Sequence, residues 1–333
     1  MEDLKFTQAV SRLRVLEKRL LDKSKIERMI DSASADEVLR ILSETEYANL
    51  MSDVKRAEDY ELLLSKELKR VYSLIYEISP DKTIIDIMSL RNDYHNIKVL
   101  LKGKALDKDL DYLLMPDGNM DVNELKSAIQ SGDLRDLNPM AKMAIEEVNK
   151  IFADTKDPQQ IDIIVDRYMF AHMLDMAKTT KMDFLIDYVK ITIDFTNIKT
   201  LIRVKKQQKD VKFLREVLID GGTISLDKFT ISLNDSLENF MSKIRATKYF
   251  DIIKVGIEEY ISTNKLTALE KICDNYIMDY IKKAKYITFG AEPLIAYVLA
   301  KETEIKIIRI IMVGKLNNIA PEVIRERVRD VYV

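Results

Sequence analysis

Two histidines, one cysteine and several lysine-rich segments are the residues whose types offer chemistry in this chain. His95 and His172 stand 77 positions apart, with no other histidine or cysteine near either in sequence. A zinc-like site needs three or four such ligands, so both histidines read better as packing or surface residues. Cys273 is the sole cysteine, which excludes an intramolecular disulfide and reads as a small apolar core residue. No Gly-x-x-x-x-Gly-Lys-Ser/Thr phosphate loop and no Gly-x-Gly-x-x-Gly dinucleotide turn occurs. No Gly-x-Ser-x-Gly nucleophile elbow and no paired-aspartate cluster for magnesium diphosphate is present either. The expectation is no catalytic, cofactor-binding or metal residue.

The charged residues are more informative. Lys98, Lys102 and Lys104 close one helical segment; Arg203, Lys205, Lys206 and Lys209 close a second; Arg309 and Lys315 close a third. Cations at helix C-termini complement the macrodipole by about 0.3–1 kcal/mol each, which explains them without a function. The alternative is a basic rim that meets acidic partner loops or lipid headgroups, with Lys102, Lys104, Lys205 and Lys206 as the candidate contacts. Asp93, Asp194, Glu292 and Arg309 are candidates for a structural charge network.

These segments belong to a triplicated pattern. Glu58-Asp59-Tyr60, Asp166-Arg167-Tyr168 and Asp274-Asn275-Tyr276 share an acid, any residue and tyrosine, and the tyrosines recur every 108 residues. Downstream, Asp93-Tyr94-His95-Asn96-Ile97-Lys98 returns as Asp194-Phe195-Thr196-Asn197-Ile198-Lys199. A looser third copy is Glu302-Thr303-Glu304-Ile305-Lys306. Catalysis needs one copy of a site, so a feature present three times reads as architecture. Met115-Pro116-Asp117-Gly118 and Ile219-Asp220-Gly221-Gly222 open the later repeats, which puts the units at 1–113, 114–217 and 218–333. The expected fold is all-α, three similar helical domains with pseudo-threefold symmetry.

Composition agrees. The chain has 333 residues, 47% apolar and 32% charged, with only 8 glycines and 6 prolines, so long helices with short connections are expected. A net charge of −2 gives no basic excess for nucleic acid. The opening Met1-Glu2-Asp3-Leu4-Lys5 lacks a basic region followed by an apolar one, so no secretory leader is expected, and no window is apolar enough to span a membrane. Ser34-Ala35-Asp36-Glu37, Asn138-Pro139 and Asp157-Pro158 mark helix starts. A long helix is expected from beyond Asp53 to about Glu77, stopped by Ser79-Pro80-Asp81, and another from about Thr83 to Leu101. Gly103 and Gly314 are expected just past their helix ends. Thr223–Leu226 and Phe229–Leu233 fit short strands or helix edges equally.

Asp93-Tyr94-His95-Asn96-Ile97-Lys98 with Leu101-Lys102-Gly103-Lys104 resembles the C subunit of the archaeal and bacterial A/V-type rotary ATPases, the counterpart of the d subunit of the vacuolar enzyme. So do Gly290-Ala291-Glu292-Pro293-Leu294-Ile295-Ala296-Tyr297, the run Lys301 to Lys315, and Arg12-Leu13-Arg14-Val15-Leu16-Glu17. The resemblance covers essentially the whole chain. It implies a funnel of three helical domains and a non-catalytic central-stalk component without cofactor. It also implies partners: the D and F axle subunits in the funnel and the proteolipid ring below, at the cytoplasmic face of the membrane, with lipid headgroups as a further contact. Such a component passes rotation between ATP chemistry and H+ or Na+ transport. The competing readings are a cytosolic helical scaffold unrelated to ion transport and a helical enzyme with a central site.

Overall fold

Capping residues set where the helices of the computed structural model begin. Ser34 Oγ accepts the Glu37 N–H at 3.3 Å while the Glu37 carboxylate accepts the Ala33 N–H at 2.7 Å. Asn138 accepts the Met140 N–H at 2.9 Å and Asp157 the Gln159 N–H at 2.9 Å. The structure describes residues 3–333. Met1 and Glu2, part of the segment read for a leader, lie outside them.

The helices are α1 (Thr7–Glu17), α2 (Lys23–Asp31), α3 (Ala35–Leu42), α4 (Tyr60–Ile78), α5 (Thr83–Leu106), α6 (Val122–Ser131), α7 (Pro139–Thr155) and α8 (Gln159–Thr180). They continue as α9 (Asp183–Lys206), α10 (Val211–Val217), α11 (Leu226–Ile231), α12 (Leu237–Lys243), α13 (Phe250–Thr263), α14 (Thr267–Lys282), α15 (Glu292–Leu316) and α16 (Pro321–Arg327). Short 3₁₀ turns join some of them, and no strand occurs among the described residues. The all-α expectation therefore holds. Leu226–Ile231 is helix rather than strand, and the segment beyond Asp53 starts with a 3₁₀ turn before α4 begins at Tyr60.

Two compact units emerge. One joins the residues up to Lys82 with Asp251–Val333; the other is Thr83–Phe250. In the first, α15 is the central helix and packs on α4, α1, α14, α3 and α16. Ile305, Ile308, Ile311 and Met312 of α15 meet Met29, Val38, Leu42 and Leu64. In the second, α8 packs on α5, α7 and α9. The central helices α5, α9 and α15 bury residues around most of their circumference, as helices apolar on all sides do. Each fully buried Leu or Ile contributes about 1.5–3 kcal/mol of apolar burial.

The three signature helices end alike, and the glycines are not where the sequence suggests. Gly103 and Gly314 lie inside the last turn; the left-handed residues are Asp107 (φ 50°), Gln208 (φ 54°) and Asn318 (φ 54°). Behind them, Lys108, Lys209 and Ile319 return N–H bonds to the carbonyls of Gly103, Val204 and Gly314 at 3.0, 3.2 and 2.8 Å. This is a Schellman-type end with short polar residues at the strained position. Gly314 serves packing instead, because a Cβ there would stand 2.5 Å from Ile324 on α16.

Candidate functional site

Behind each signature helix lies a buried polar clasp. Asp93 is 1% exposed on α5 and accepts the Met120 N–H and the Asn119 amide, both at 2.9 Å. One turn on, Asn96 accepts the Met115 N–H at 2.8 Å and donates to the Met115 carbonyl at 2.7 Å. The pattern repeats on α9. Asp194 accepts the N–H groups of Thr223 and Ile224 at 2.8 and 3.1 Å, and the hydroxyls of Thr223 and Tyr249. Asn197 accepts the Ile219 N–H at 2.9 Å and donates to the Ile219 carbonyl at 2.7 Å. Each carboxylate thus satisfies loop donors that burial would otherwise orphan.

The clasp also accounts for the loop glycines. A Cβ at Gly118 would lie 2.2 Å from Asp93 Oδ1, and one at Gly222 would lie 2.2 Å from Asp194 Oδ1. Burial pushes the Asp93 carboxyl up to about 6, against the opposing pull of its hydrogen bonds to Met120 and Asn119.

The third copy inverts the charge. Lys301 stands on α15 at the step that separates Ile198 from Ile305, in the place of Asp93 and Asp194. It is 1% exposed, and its ammonium donates to Glu67 and Glu304 at 2.8 Å each, 5.0 Å from the Tyr47 ring. Glu304 replaces the clasp asparagine: it accepts the Leu21 N–H at 2.6 Å and the Tyr47 hydroxyl at 2.9 Å. Arg70 closes on Glu67 through two bonds of 2.7 and 2.9 Å. Burial works against the Lys301 charge, but Glu304 and Glu67 outweigh it and raise its pKa. Burial likewise opposes the Glu67 charge, and Arg70 with Lys301 holds the pKa below the usual range. The sequence reading missed this triad; the lysine at the aspartate's register was the available signal.

The sequence-selected residues fall into different surroundings. Lys102 pairs with Asp162 of α8 at 2.7 Å, and Lys104 donates to the Ile129 carbonyl at 2.9 Å. Lys205 donates to the carbonyls of Ser232, Leu233 and Asp235 at 3.1, 2.5 and 2.5 Å. Lys206 is exposed at the end of α9. Arg309 binds Glu61 of α4 through two bonds of 2.6 and 3.0 Å. Glu292 opens α15 half-buried, with Oε2 buried and unpartnered, and burial raises its pKa. Two of the three repeated acids take lysines: Asp166 pairs with Lys98 at 2.8 Å and Asp274 with Lys306 at 2.5 Å. Tyr168 donates to Glu147 at 2.8 Å.

Both histidines are hydrogen-bonded inside the fold. His172 Nδ1 lies 3.1 Å from the Tyr94 hydroxyl, where burial lowers its pKa, and His95 Nε2 lies 3.0 Å from the Leu113 carbonyl. Cys273 is buried. Among the described residues no group of three or more His, Cys, Asp or Glu side chains has the arrangement of a metal site. A surface hollow of about 760 Å³ is walled by charged residues such as Arg28, Asp31, Arg40 and Glu44.

A family model described as ATP synthase (C/AC39) subunit matches residues 9–327. The C subunit of the V-type sodium ATPase of Enterococcus hirae is 30% identical over 96% of this chain and 97% of its own length. The C subunit of the A-type ATP synthase of Methanocaldococcus jannaschii is 27% identical over 95% and 84%, and that of Desulfurococcus sp. is 26% identical over 96% and 90%. A match of this extent, over an all-helical chain, means that the protein belongs to the ATP synthase (C/AC39) subunit family.

Proposed function

We propose that this chain is the non-catalytic central-stalk component that couples the rotating axle of an A/V-type ATPase to its membrane rotor ring. The observation that carries the reading is the family match across residues 9–327. In this role the chain binds the D and F axle subunits on one side and the proteolipid ring on the other. It sits peripherally at the cytoplasmic face and carries torque in ATP-linked H+ or Na+ transport. No helix among the described residues is long and apolar enough to cross a membrane, in keeping with a peripheral position.

Such a role requires stiffness. A coupling element that bends wastes torque, and close-packed interiors have low compressibility. The long helices α5, α9 and α15 are each clasped by buried hydrogen bonds or ion pairs that resist sliding. The three repeats at 1–113, 114–217 and 218–333 are the proposed threefold framework for meeting an axle and a ring. For partner contact, the basic helix ends at Lys102, Lys104, Lys205 and Lys206 are the proposed patches. Lys104 and Lys206 are exposed and Lys102 and Lys205 half-buried, so the first two are the more accessible probes.

The test is a pull-down of the full chain against its cognate D–F axle and the detergent-solubilised ring. Simultaneous capture of both is expected. Capture of neither by a folded chain would overturn the coupling role and favour the scaffold reading.

A further inference from the structure

In the triplicated pattern, the helix bearing each repeated tyrosine is joined to the signature helix that follows it. That connection is residues 79–82 after α4 and residues 181–182 after α8. After α14 it runs from Lys283 to Ala291, nine residues. Helix–helix connections in bundles ordinarily take about 2–8 residues, and the first two copies make do with four and two. The third is longer because a 3₁₀ turn, Lys283–Tyr286, is inserted between α14 and the five residues that lead into α15.

What surrounds this turn is unusual. From Lys282, the last residue of α14, to Phe289 the chain has three lysines, Lys282, Lys283 and Lys285, and no acid. Tyr286 is 89% exposed and Phe289 49% exposed. The segment is nevertheless anchored. Arg14 donates to the carbonyls of Ala284 and Ile287 at 2.9 and 2.6 Å, and Lys285 donates to the Tyr332 carbonyl. Lys283 is exposed above the Tyr280 ring at 5.1 Å, and Lys282 lies 3.8 Å from the largely exposed Asp279. Tyr286 is left almost wholly in water and Phe289 about half so, and the exposed ring surface adds nothing to stability.

We propose that this loop is a membrane-surface contact, in which Tyr286 and Phe289 enter the interfacial layer and Lys282 and Lys283 meet anionic lipid headgroups. Aromatic rings favour the headgroup level, and lysines beside them are attracted by anionic leaflets. The partner's chemistry follows from the loop's: a positive, aromatic tip fits a surface that is negative outside and apolar beneath. The inference deepens the peripheral position stated above and rests on that reading. It assigns the contact to a segment distinct from the basic helix ends.

The experiment is flotation of the full chain with vesicles of equimolar phosphatidylglycerol and phosphatidylcholine, against phosphatidylcholine alone. Binding to the anionic vesicles is expected, weakening as salt is raised. Lys282→Gln with Lys283→Gln should lower partitioning roughly tenfold or more. Lys265→Gln, at an exposed lysine elsewhere in the same unit, should leave it unchanged. The chain has no tryptophan, so Phe289→Trp supplies a single emission probe that should shift to the blue with anionic vesicles. Equal binding of the double variant and the parent, or no shift at Trp, would overturn the proposal. Capture of the D–F axle by the same variants separates the two readings. Retained capture with no vesicle binding discards the loop contact alone; loss of capture in the parent discards the coupling role.

Discussion

Helix α5 against α8 in one unit and α15 against α4 in the other are the same packing event with opposite electrostatics. Along α5 the buried group is an anion that holds loop N–H groups, and the facing contacts are the Tyr94–His172 bond and the Lys98–Asp166 pair. Along α15 the equivalent position is a buried cation that binds Glu67 across the seam and Glu304 on its own helix. The repeat therefore conserves where a polar group is buried and not which charge it carries. What burial demands is a full set of partners, and either sign meets that demand.

Lys301→Met should have the largest effect. It leaves Glu67 and Glu304 facing each other in the core, and the loss of a buried pair's partner costs about 3–5 kcal/mol. Chemical denaturation should show the unit that joins the residues up to Lys82 with Asp251–Val333 unfolding first; Lys301→Met with Glu67→Gln and Glu304→Gln should recover part of the loss.

The second test uses pH. The Asp93 pKa is raised from its ordinary value near 4 to about 6. Between those values the folded chain holds a proton that the unfolded chain has released. This contribution is present at low pH and is lost as pH rises through about 6, on the order of 2–3 kcal/mol in full. His172 runs the other way: burial lowers its pKa, so stability falls as pH drops below the usual histidine range. Asp93→Asn should leave only the second trend, and denaturant midpoints of the Thr83–Phe250 unit across pH 4–7 would read it. An unchanged pH profile would show that Asp93 does not titrate in this window.

Smaller effects sharpen the picture. Gly222→Ala forces a methyl against Asp194 and should cost about 1–3 kcal/mol, with Gly118→Ala similar, as measured by melting. Arg309→Ala should cost less than about 1 kcal/mol, because its pair with Glu61 is nearly half exposed on both sides and screened by salt. A large loss there would mean that the exposed pair carries the seam.

The helical nature of the chain was legible because its signals are local. Ser34, Asn138 and Asp157 satisfy N–H groups two or three residues away, and no distant part of the fold alters that. The signature repeated in sequence located Asp93, Asp194 and the glycine loops that meet them. The helix ends at Gly103 and Gly314 were misread, since Asp107 and Asn318 take the left-handed turn that glycine ordinarily fills. The partners of the charges were not legible. Leu21 reaches Glu304 across 283 residues, and Lys102 reaches Asp162 across 60. Caps and periodicity act within a few turns of chain, so the sequence alone determined the helices. Which lysine is spent inside and which meets water depends on helix rotation and crossing, and only the packed structure decides that.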